Sequence, residues 1–194
     1  MKKAINHFSK VDPVLHGLII QQKIELKPLP VLKDWKDFFP RLCDDIISQQ
    51  LAGKAAAAIV SRFFALFPNK KPTPAGVLKL SDQAIRDIGA SWAKARYLKN
   101  LAEATQQKKI KFDQFHKLSN EEIITELTQV KGIGPWTAEM FLMFSLGRED
   151  VFPADELGIK RAIENIYGIK DTSSKSLDKF SRRWKPYRSD ASLY

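Results

Sequence analysis

The 194-residue sequence predicts an all-α protein. Apolar residues recur with helical spacing along nearly the whole chain, and we find no convincing run of alternating residues bounded by hairpin turns. Glycines, prolines and N-capping residues divide this pattern into helices of ordinary length. A chain of this size can close one substantial core or two small lobes that share an interface, so we expect residues 1–194 to form one compact unit.

The first half of the chain predicts three helices. Asp12-Pro13 begins the first, because Asp is a favoured N-cap and proline fits the first helical position. Pro28 to Pro30 then predicts an extended link. Two helices follow between residues 37 and 67, with a break at Leu51-Ala52-Gly53. The second contains the run Ala55 to Ala58, which predicts close packing against a neighbouring helix.

The second half of the chain predicts five more helices after a loop at Pro68 to Pro74. Ser119-Asn120-Glu121-Glu122 is a capping box, and Gly168 is a suitable C-terminal stop. The predicted helices occupy residues 81–88, 91–107, 119–127, 135–144 and 155–168.

Two glycines lie two residues apart in the string Val130-Lys131-Gly132-Ile133-Gly134-Pro135-Trp136-Thr137-Ala138. Glycine adopts the positive φ that a tight helix-to-helix reversal requires, and without side chains the backbone N–H groups can point outward. Pro135 suits the first helical position, and the positive end of that helix dipole is directed at the same spot. The string has the form of a helix-hairpin-helix motif, spanning about 122–144, and predicts a phosphate site. The residues expected to form it are Lys131, Gly132, Ile133, Gly134 and Thr137.

The chain is strongly basic, with 32 Lys and Arg against 22 Asp and Glu and a net charge of +10. Such an excess suits nucleic acid or an anionic membrane surface. The longest apolar runs, such as Phe141 to Phe144, are far shorter than the roughly 20 residues of a membrane span, and the basic start lacks the apolar core of a secretion signal. We therefore expect DNA as the partner, no membrane, and a bacterial-type cytoplasmic or nucleoid-associated location.

The single cysteine and the histidines offer no metal chemistry. Cys43 lies among apolar residues and predicts a buried small hydrophobe, which fits a reducing compartment. One thiol cannot form an internal disulfide or supply the ligands of an iron–sulfur cluster. The three histidines are scattered without metal-ligand spacing, so we expect no metal site.

Four separated segments, with a fifth at the tail, carry a resemblance to a known family. The sequence resembles the helix-hairpin-helix DNA glycosylase superfamily, and most closely its 3-methyladenine DNA glycosylase II branch. The likeness extends from about Ile46 to Tyr194. The segments are Ile46 to Ala55, Lys94 to Leu98, the hairpin string, Asp150 to Arg161 and Trp184 to Ser189.

The resemblance implies an all-α, two-lobed helical fold with the DNA-binding cleft between the lobes. It also implies an enzyme that flips an alkylated purine, such as 3-methyladenine, out of double-stranded DNA and removes it during base-excision repair. By position in the family, Gln50 and Leu51 are the wedge that fills the vacated base stack. We expect the protein to act as a monomer.

The same resemblance places the base pocket and the chemistry. Trp136 matches a pocket tryptophan whose electron-rich face attracts a cationic base, with Met140 and Leu157 as further walls. The family's essential carboxylate stabilises positive charge on the sugar and lies at the start of the helix after Phe152-Pro153. Register gives that position to Glu156, with Asp155 as its neighbour and N-cap, and a local shift would give it to Asp155 instead.

Trp136 also bears on the type of reaction. Relatives that cut the DNA strand carry a lysine at this position, two residues after the second hairpin glycine, and use it to form a Schiff base. Tryptophan there predicts a monofunctional hydrolase without a cofactor, although the family can hold a monovalent cation on hairpin carbonyls. Two alternatives remain, a glycosylase for a deaminated or oxidised base and a non-catalytic DNA-binding module.

Overall fold

The structure, a computed structural model, describes residues 2–23 and 31–194, and in these ranges it is helical without β-strands. The predicted all-α class is confirmed. No helix in this part of the chain is both long and apolar enough to cross a lipid bilayer. The α-helices of the described ranges are α1 (Lys2–Val11), α2 (Pro13–Gln22), α3 (Phe38–Ser48), α4 (Gly53–Ala65), α5 (Pro74–Lys79), α6 (Asp82–Asp87), α7 (Trp92–Gln106), α8 (Asn120–Thr128), α9 (Pro135–Phe144), α10 (Leu157–Tyr167), α11 (Ser174–Ser181) and α12 (Arg188–Leu193).

These helices belong to two compact units. The first combines the described residues of Met1–Val31 with Leu142–Tyr194, and the second comprises Leu32–Phe141. The boundary lies within α9. The hairpin string is therefore part of the second unit, and Asp155 and Glu156 are part of the first.

The first unit packs around a buried carboxylate as well as apolar side chains. Asp12 is 3% exposed and accepts hydrogen bonds from the backbone N–H of Leu15, the Tyr167 hydroxyl and the Trp184 indole N–H, at 3.0, 2.9 and 2.8 Å. Asp12 thus caps α2 as predicted and also connects three elements of the unit. The apolar residues of this core are Ala4, Phe8, Leu15, Ile19, Phe152, Ile163, Leu177, Trp184 and Ala191.

The second unit has an aromatic core in which Phe38, Phe112, Phe115 and Phe141 contact one another, with ring centroids 5.3–6.2 Å apart. Mostly edge-to-face pairs of this kind add to the stabilisation from burial alone. Cys43 on α3 is fully buried, which confirms the prediction for it, and burial raises the pKa of its thiol well above the usual range.

Helix boundaries agree with the sequence predictions to within about two residues, and the capping box of Ser119 and Glu122 is present. Three expectations need correction or lie outside the structure. Helices α1, α5, α11 and α12 were missed, since α5, α11 and α12 have at most eight residues and the buried residues of α1 are only Ala4 and Phe8. Close packing of the run Ala55 to Ala58 was wrong, since only Ala56 is buried and the others face solvent. The link at Pro28 to Pro30 lies outside the described residues.

Candidate nucleic-acid interface and active site

The turn of the hairpin between α8 and α9 contains one glycine with a positive φ. Gly132 has φ +114°, whereas Gly134 has no positive φ, so the predicted conformation is right for the first glycine only. The Ile133 N–H donates to the Val130 carbonyl at 2.9 Å, and the Ile133 side chain is 3% exposed, which anchors the turn. Nothing lies within 4 Å of the place where a Gly134 side chain would begin, so the entry to α9 is open.

Helix α7 supports the hairpin from the inside. A Cβ atom on Gly132 would lie 2.3 Å from Tyr97 Cγ, so Tyr97 fills the space that any side chain would need. The Asn100 amide donates to the Lys131 carbonyl at 3.0 Å. Glycine is therefore required at position 132 both by its φ and by the close approach of α7.

Two further polar side chains connect the hairpin to the end of α3. The Gln49 amide donates to the Gly132 carbonyl at 3.0 Å and to the Thr137 hydroxyl at 3.2 Å. The Lys94 amine donates to the carbonyls of Ile47 and Gln49 at 2.8 and 2.9 Å. Thr137 is 4% exposed with its hydroxyl facing Gln49, which contradicts a phosphate contact through that side chain. Only its backbone N–H remains available for that role.

An open groove of about 750 Å³ runs along the hairpin within the second unit. Several predicted site residues meet there, while Met140 is half-buried and is not among the residues that line this groove. Trp136 is 43% exposed at this groove. The predicted residues that line it are Gln50, Leu51, Lys131, Gly132, Ile133, Gly134, Trp136 and Thr137.

The predicted wedge lies in the short connection between α3 and α4. Gln50 is exposed and has φ +56°, a left-handed conformation that is uncommon for a residue with a side chain. Leu51 is 36% exposed, and its N–H donates to the Ser48 carbonyl at 3.2 Å. An amide and an apolar side chain are thus presented together at the groove.

The two acids of the first unit have different surroundings. Asp155 accepts hydrogen bonds from the Ser174 hydroxyl and from the Lys160 amine, and these bonds, that of Ser174 foremost, hold the pKa of its carboxyl below the usual range. It does not cap α10, so the N-cap expected for Asp155 was wrong. Asp155 instead joins α10 to the start of α11.

Glu156 occupies the N-cap position of α10 but makes no side-chain capping hydrogen bond. One carboxylate oxygen lies 3.8 Å from the place where a Gly158 Cβ would be, above the first turn of the helix. The positive end of the α10 dipole lies at this point. Leu157, the predicted pocket wall in this unit, is 56% exposed at the first position of α10.

Sequence reasoning missed Gln49, Tyr97 and Asn100, and it treated Lys94 only as one of many basic residues. Lys94, Tyr97 and Asn100 are spaced by three along α7 and therefore share one face of it. That spacing was the available signal. Metal binding has no comparable support, since the described residues contain no group of three or more His, Cys, Asp or Glu that could hold an ion.

Known proteins have a similar sequence and fold. Residues 43–186 match the HhH-GPD superfamily of base excision DNA repair proteins. The chain is 40% identical over 162 residues to DNA-3-methyladenine glycosylase 1 of Schizosaccharomyces pombe, covering 82% of this chain and 71% of that protein.

Two solved structures extend the likeness to the fold. A 3-methyladenine DNA glycosylase of Schizosaccharomyces pombe in complex with abasic DNA superposes with a TM-score of 0.85 at 36% identity, covering 99% of this chain and 94% of that one. A DNA-3-methyladenine glycosidase from Bacillus halodurans gives a TM-score of 0.83 at 34% identity, with 97% and 84% covered. The chain therefore belongs to the HhH-GPD superfamily of base excision DNA repair proteins.

Proposed function

We propose that the protein is a monofunctional DNA glycosylase that flips alkylated purines such as 3-methyladenine out of double-stranded DNA and hydrolyses their N-glycosyl bonds. The observation that carries the proposal is the single groove on which the hairpin, the exposed Trp136 and the Gln50-Leu51 wedge meet. The names of the relatives in Schizosaccharomyces pombe and Bacillus halodurans agree with this substrate class. We expect the protein to act as a monomer.

The hairpin is the proposed grip on the DNA backbone. Backbone N–H groups at the start of α9, together with the exposed Lys131, offer hydrogen bonds and positive charge to a phosphate. A contact of this kind is independent of base sequence. The net charge of +10 adds long-range attraction, so binding should weaken steeply as salt is raised.

Trp136 is the proposed recognition surface for the flipped base. Alkylation at a purine ring nitrogen gives the base a positive charge, and an indole face attracts a cation by about 0.5–2 kcal/mol, depending on desolvation. The same charge makes the base a good leaving group, so the reaction needs no strong general acid and no cofactor. Trp136 also stands where strand-cutting relatives have lysine, which supports a hydrolytic product with an intact abasic strand.

Glu156 is the proposed catalytic carboxylate. Cleavage of the N-glycosyl bond develops positive charge on the sugar, which an ionised carboxylate stabilises while it positions or deprotonates water. Glu156 is the N-cap residue of α10, so its side chain lies at the positive end of the helix dipole. Asp155 accepts hydrogen bonds from Ser174 and Lys160, so we assign it a structural role that connects α10 to α11.

Base release from methylated duplex DNA tests the proposal, with Glu156→Gln and Asp155→Asn as matched variants. Glu156→Gln should release the base about a hundredfold more slowly, or slower still, because it removes the charge that acts on the sugar. Asp155→Asn should keep most activity, because it removes an exposed ion pair worth at most about 1 kcal/mol. Strand breaks should require alkali or heat, and borohydride should trap no covalent adduct with the DNA.

Each alternative gives a different result in the same assay. If only Asp155→Asn loses base-release activity, Asp155 is the catalytic carboxylate. Full activity in both variants would refute a catalytic role for either acid. Release of only deaminated or oxidised bases from single-lesion duplexes would change the substrate class. Tight DNA binding without release of any base would leave a non-catalytic binding module.

A further inference from the structure

We propose that Lys94 and Gln49 are positioning residues that hold the Gln50-Leu51 wedge in register with the phosphate-binding hairpin. We call this pair the latch. The inference rests on the proposed function for the roles of wedge and hairpin, but the contacts of the latch belong to the second unit alone.

The first half of the latch is the Lys94 amine, which donates to the carbonyls of Ile47 and Gln49 at the end of α3. The last carbonyls of a helix have no partner within the helix, and a cation there interacts favourably with the helix dipole. Partial burial lowers the pKa of Lys94. This amine is therefore directed at the protein backbone and not outward at DNA.

The second half of the latch is the Gln49 side chain. Its amide nitrogen donates to the Gly132 carbonyl and to the Thr137 hydroxyl, which uses both of its hydrogens. A carbonyl can only accept, so the contact with Gly132 fixes which way the amide points. Gln49 is thus held at two ends, by Lys94 at its own carbonyl and by the hairpin at its side chain.

The wedge begins directly after this doubly held residue. Gln50 has a left-handed φ of +56°, and such a conformation persists where the surroundings determine it. The Lys94 contact with the Gln49 carbonyl constrains the entry to Gln50, and the bond from the Leu51 N–H to Ser48 constrains the exit. Without the latch, Gln50 would be free to return to an ordinary conformation.

Helix α7 is the common template for wedge and hairpin. Lys94 holds the end of α3, while Tyr97 and Asn100 on the same face hold the hairpin at Gly132 and Lys131. One rigid helix of 15 residues thus fixes the spacing between the group that grips a phosphate and the group that enters the base stack. Misplacement by about 1 Å of a group that orients the substrate can lower a rate about a hundredfold.

The test compares Lys94→Met and Gln49→Glu with Lys131→Met, which removes a proposed phosphate contact, and with Lys79→Met on the exposed surface of α5. Gln49→Glu keeps the shape of the side chain but cannot donate to the Gly132 carbonyl. The substrate is a duplex with an abasic analogue opposite 2-aminopurine, whose fluorescence rises when a wedge unstacks it. Excision from a methylated duplex is measured separately, under single-turnover conditions at saturating protein.

Lys94→Met should bind undamaged DNA within about twofold of the starting protein and keep its salt dependence, because no phosphate contact is lost. Gln49→Glu adds a negative charge at the hairpin and should bind more weakly, so it is compared only at saturation. At saturation both latch variants should give less than about half of the fluorescence rise and about a tenfold slower excision. Lys131→Met should show the opposite pattern. It should bind DNA more weakly, the dependence of its affinity on salt should correspond to about one ion fewer, and its fluorescence rise at saturation should be normal. Lys79→Met should match the starting protein throughout.

Two results would overturn the latch. One is a salt slope in Lys94→Met that falls as it does in Lys131→Met, which would make Lys94 a phosphate contact. The other is normal fluorescence and excision in a folded Gln49→Glu, which also serves if Lys94→Met fails to fold. A starting protein that unstacks 2-aminopurine but releases no base would refute the proposed catalysis and leave the latch standing.

Discussion

Two helix-to-helix turns of the second unit each contain a glycine with a positive φ at the same distance before the next helix. The turn between α6 and α7 contains Gly89 with φ +100°, and the hairpin between α8 and α9 contains Gly132 with φ +114°. The next residue is buried in both, Ala90 at 1% exposed and Ile133 at 3%. One further residue, Ser91 or Gly134, then precedes the first helical position.

The two turns differ in what that last residue does. The Ser91 hydroxyl accepts a hydrogen bond from the Lys94 N–H at 3.2 Å and so caps its own helix. Gly134 has no side chain, and the space in front of it is open. If the hairpin binds a phosphate as proposed, a glycine with a positive φ is not sufficient for such a site. The site requires that no side chain of the protein already occupies the place of the anion.

The tryptophans that follow the two turns also have different surroundings. Trp92 is 51% exposed, and the Arg86 guanidinium lies 5.2 Å from its ring centroid, so a cation of the protein already covers that ring. Trp136 lines the open groove beside the hairpin. Both indole rings are about half exposed. The ring of Trp92 lies against Arg86, and that of Trp136 lines the groove.

The largest expected effect on stability concerns the two glycines that have a positive φ. Gly132→Ala should lower the free energy of unfolding by about 3 kcal/mol or more, because the new Cβ would meet the Tyr97 ring at 2.3 Å in addition to the φ strain. Gly89→Ala should lose only about 1–2 kcal/mol, because its nearest neighbour is the flexible end of Arg62 at 3.1 Å. Urea denaturation of both variants measures the difference. Equal losses would show that φ strain dominates and that Tyr97 moves away easily.

The next effect concerns the tryptophans. Trp136→Leu should slow the release of a cationic alkylated base about tenfold, because leucine fills space without the negative face of the indole ring. Trp92→Leu should leave the rate within about twofold, since Trp92 does not line the groove. Single-turnover excision of a cationic and of an uncharged lesion at saturating protein measures both. An equal slowing for the uncharged lesion would mean that Trp136 acts by shape and not by charge.

These contrasts also show how far the sequence leads. The hairpin, its proline and the capping box at Ser119 are local signals, and each lies where the sequence predicts it. The contact of Gln49 with Gly132 spans 83 residues, and that of Lys94 with Ile47 spans 47, so no periodicity or spacing could reveal either. The inward contact of the Thr137 hydroxyl with Gln49 was missed for the same reason. A helix face can be read as polar or apolar from sequence, but its neighbour in space cannot.

The smallest expected effect on stability tests why position 134 has no side chain that could cap α9. Gly134→Ser should give α9 its own cap, as Ser91 does for α7, because no positive φ and no neighbour within 4 Å opposes a side chain there. The free energy of unfolding should stay equal or rise by about 0.5–1 kcal/mol, while affinity for duplex DNA at fixed salt falls about fivefold. Ser91→Gly should cost only a few tenths of a kcal/mol and leave DNA affinity unchanged. Urea denaturation and fluorescence anisotropy with a labelled duplex measure the two quantities, and a capped Gly134→Ser that binds DNA as tightly as before would place the phosphate elsewhere.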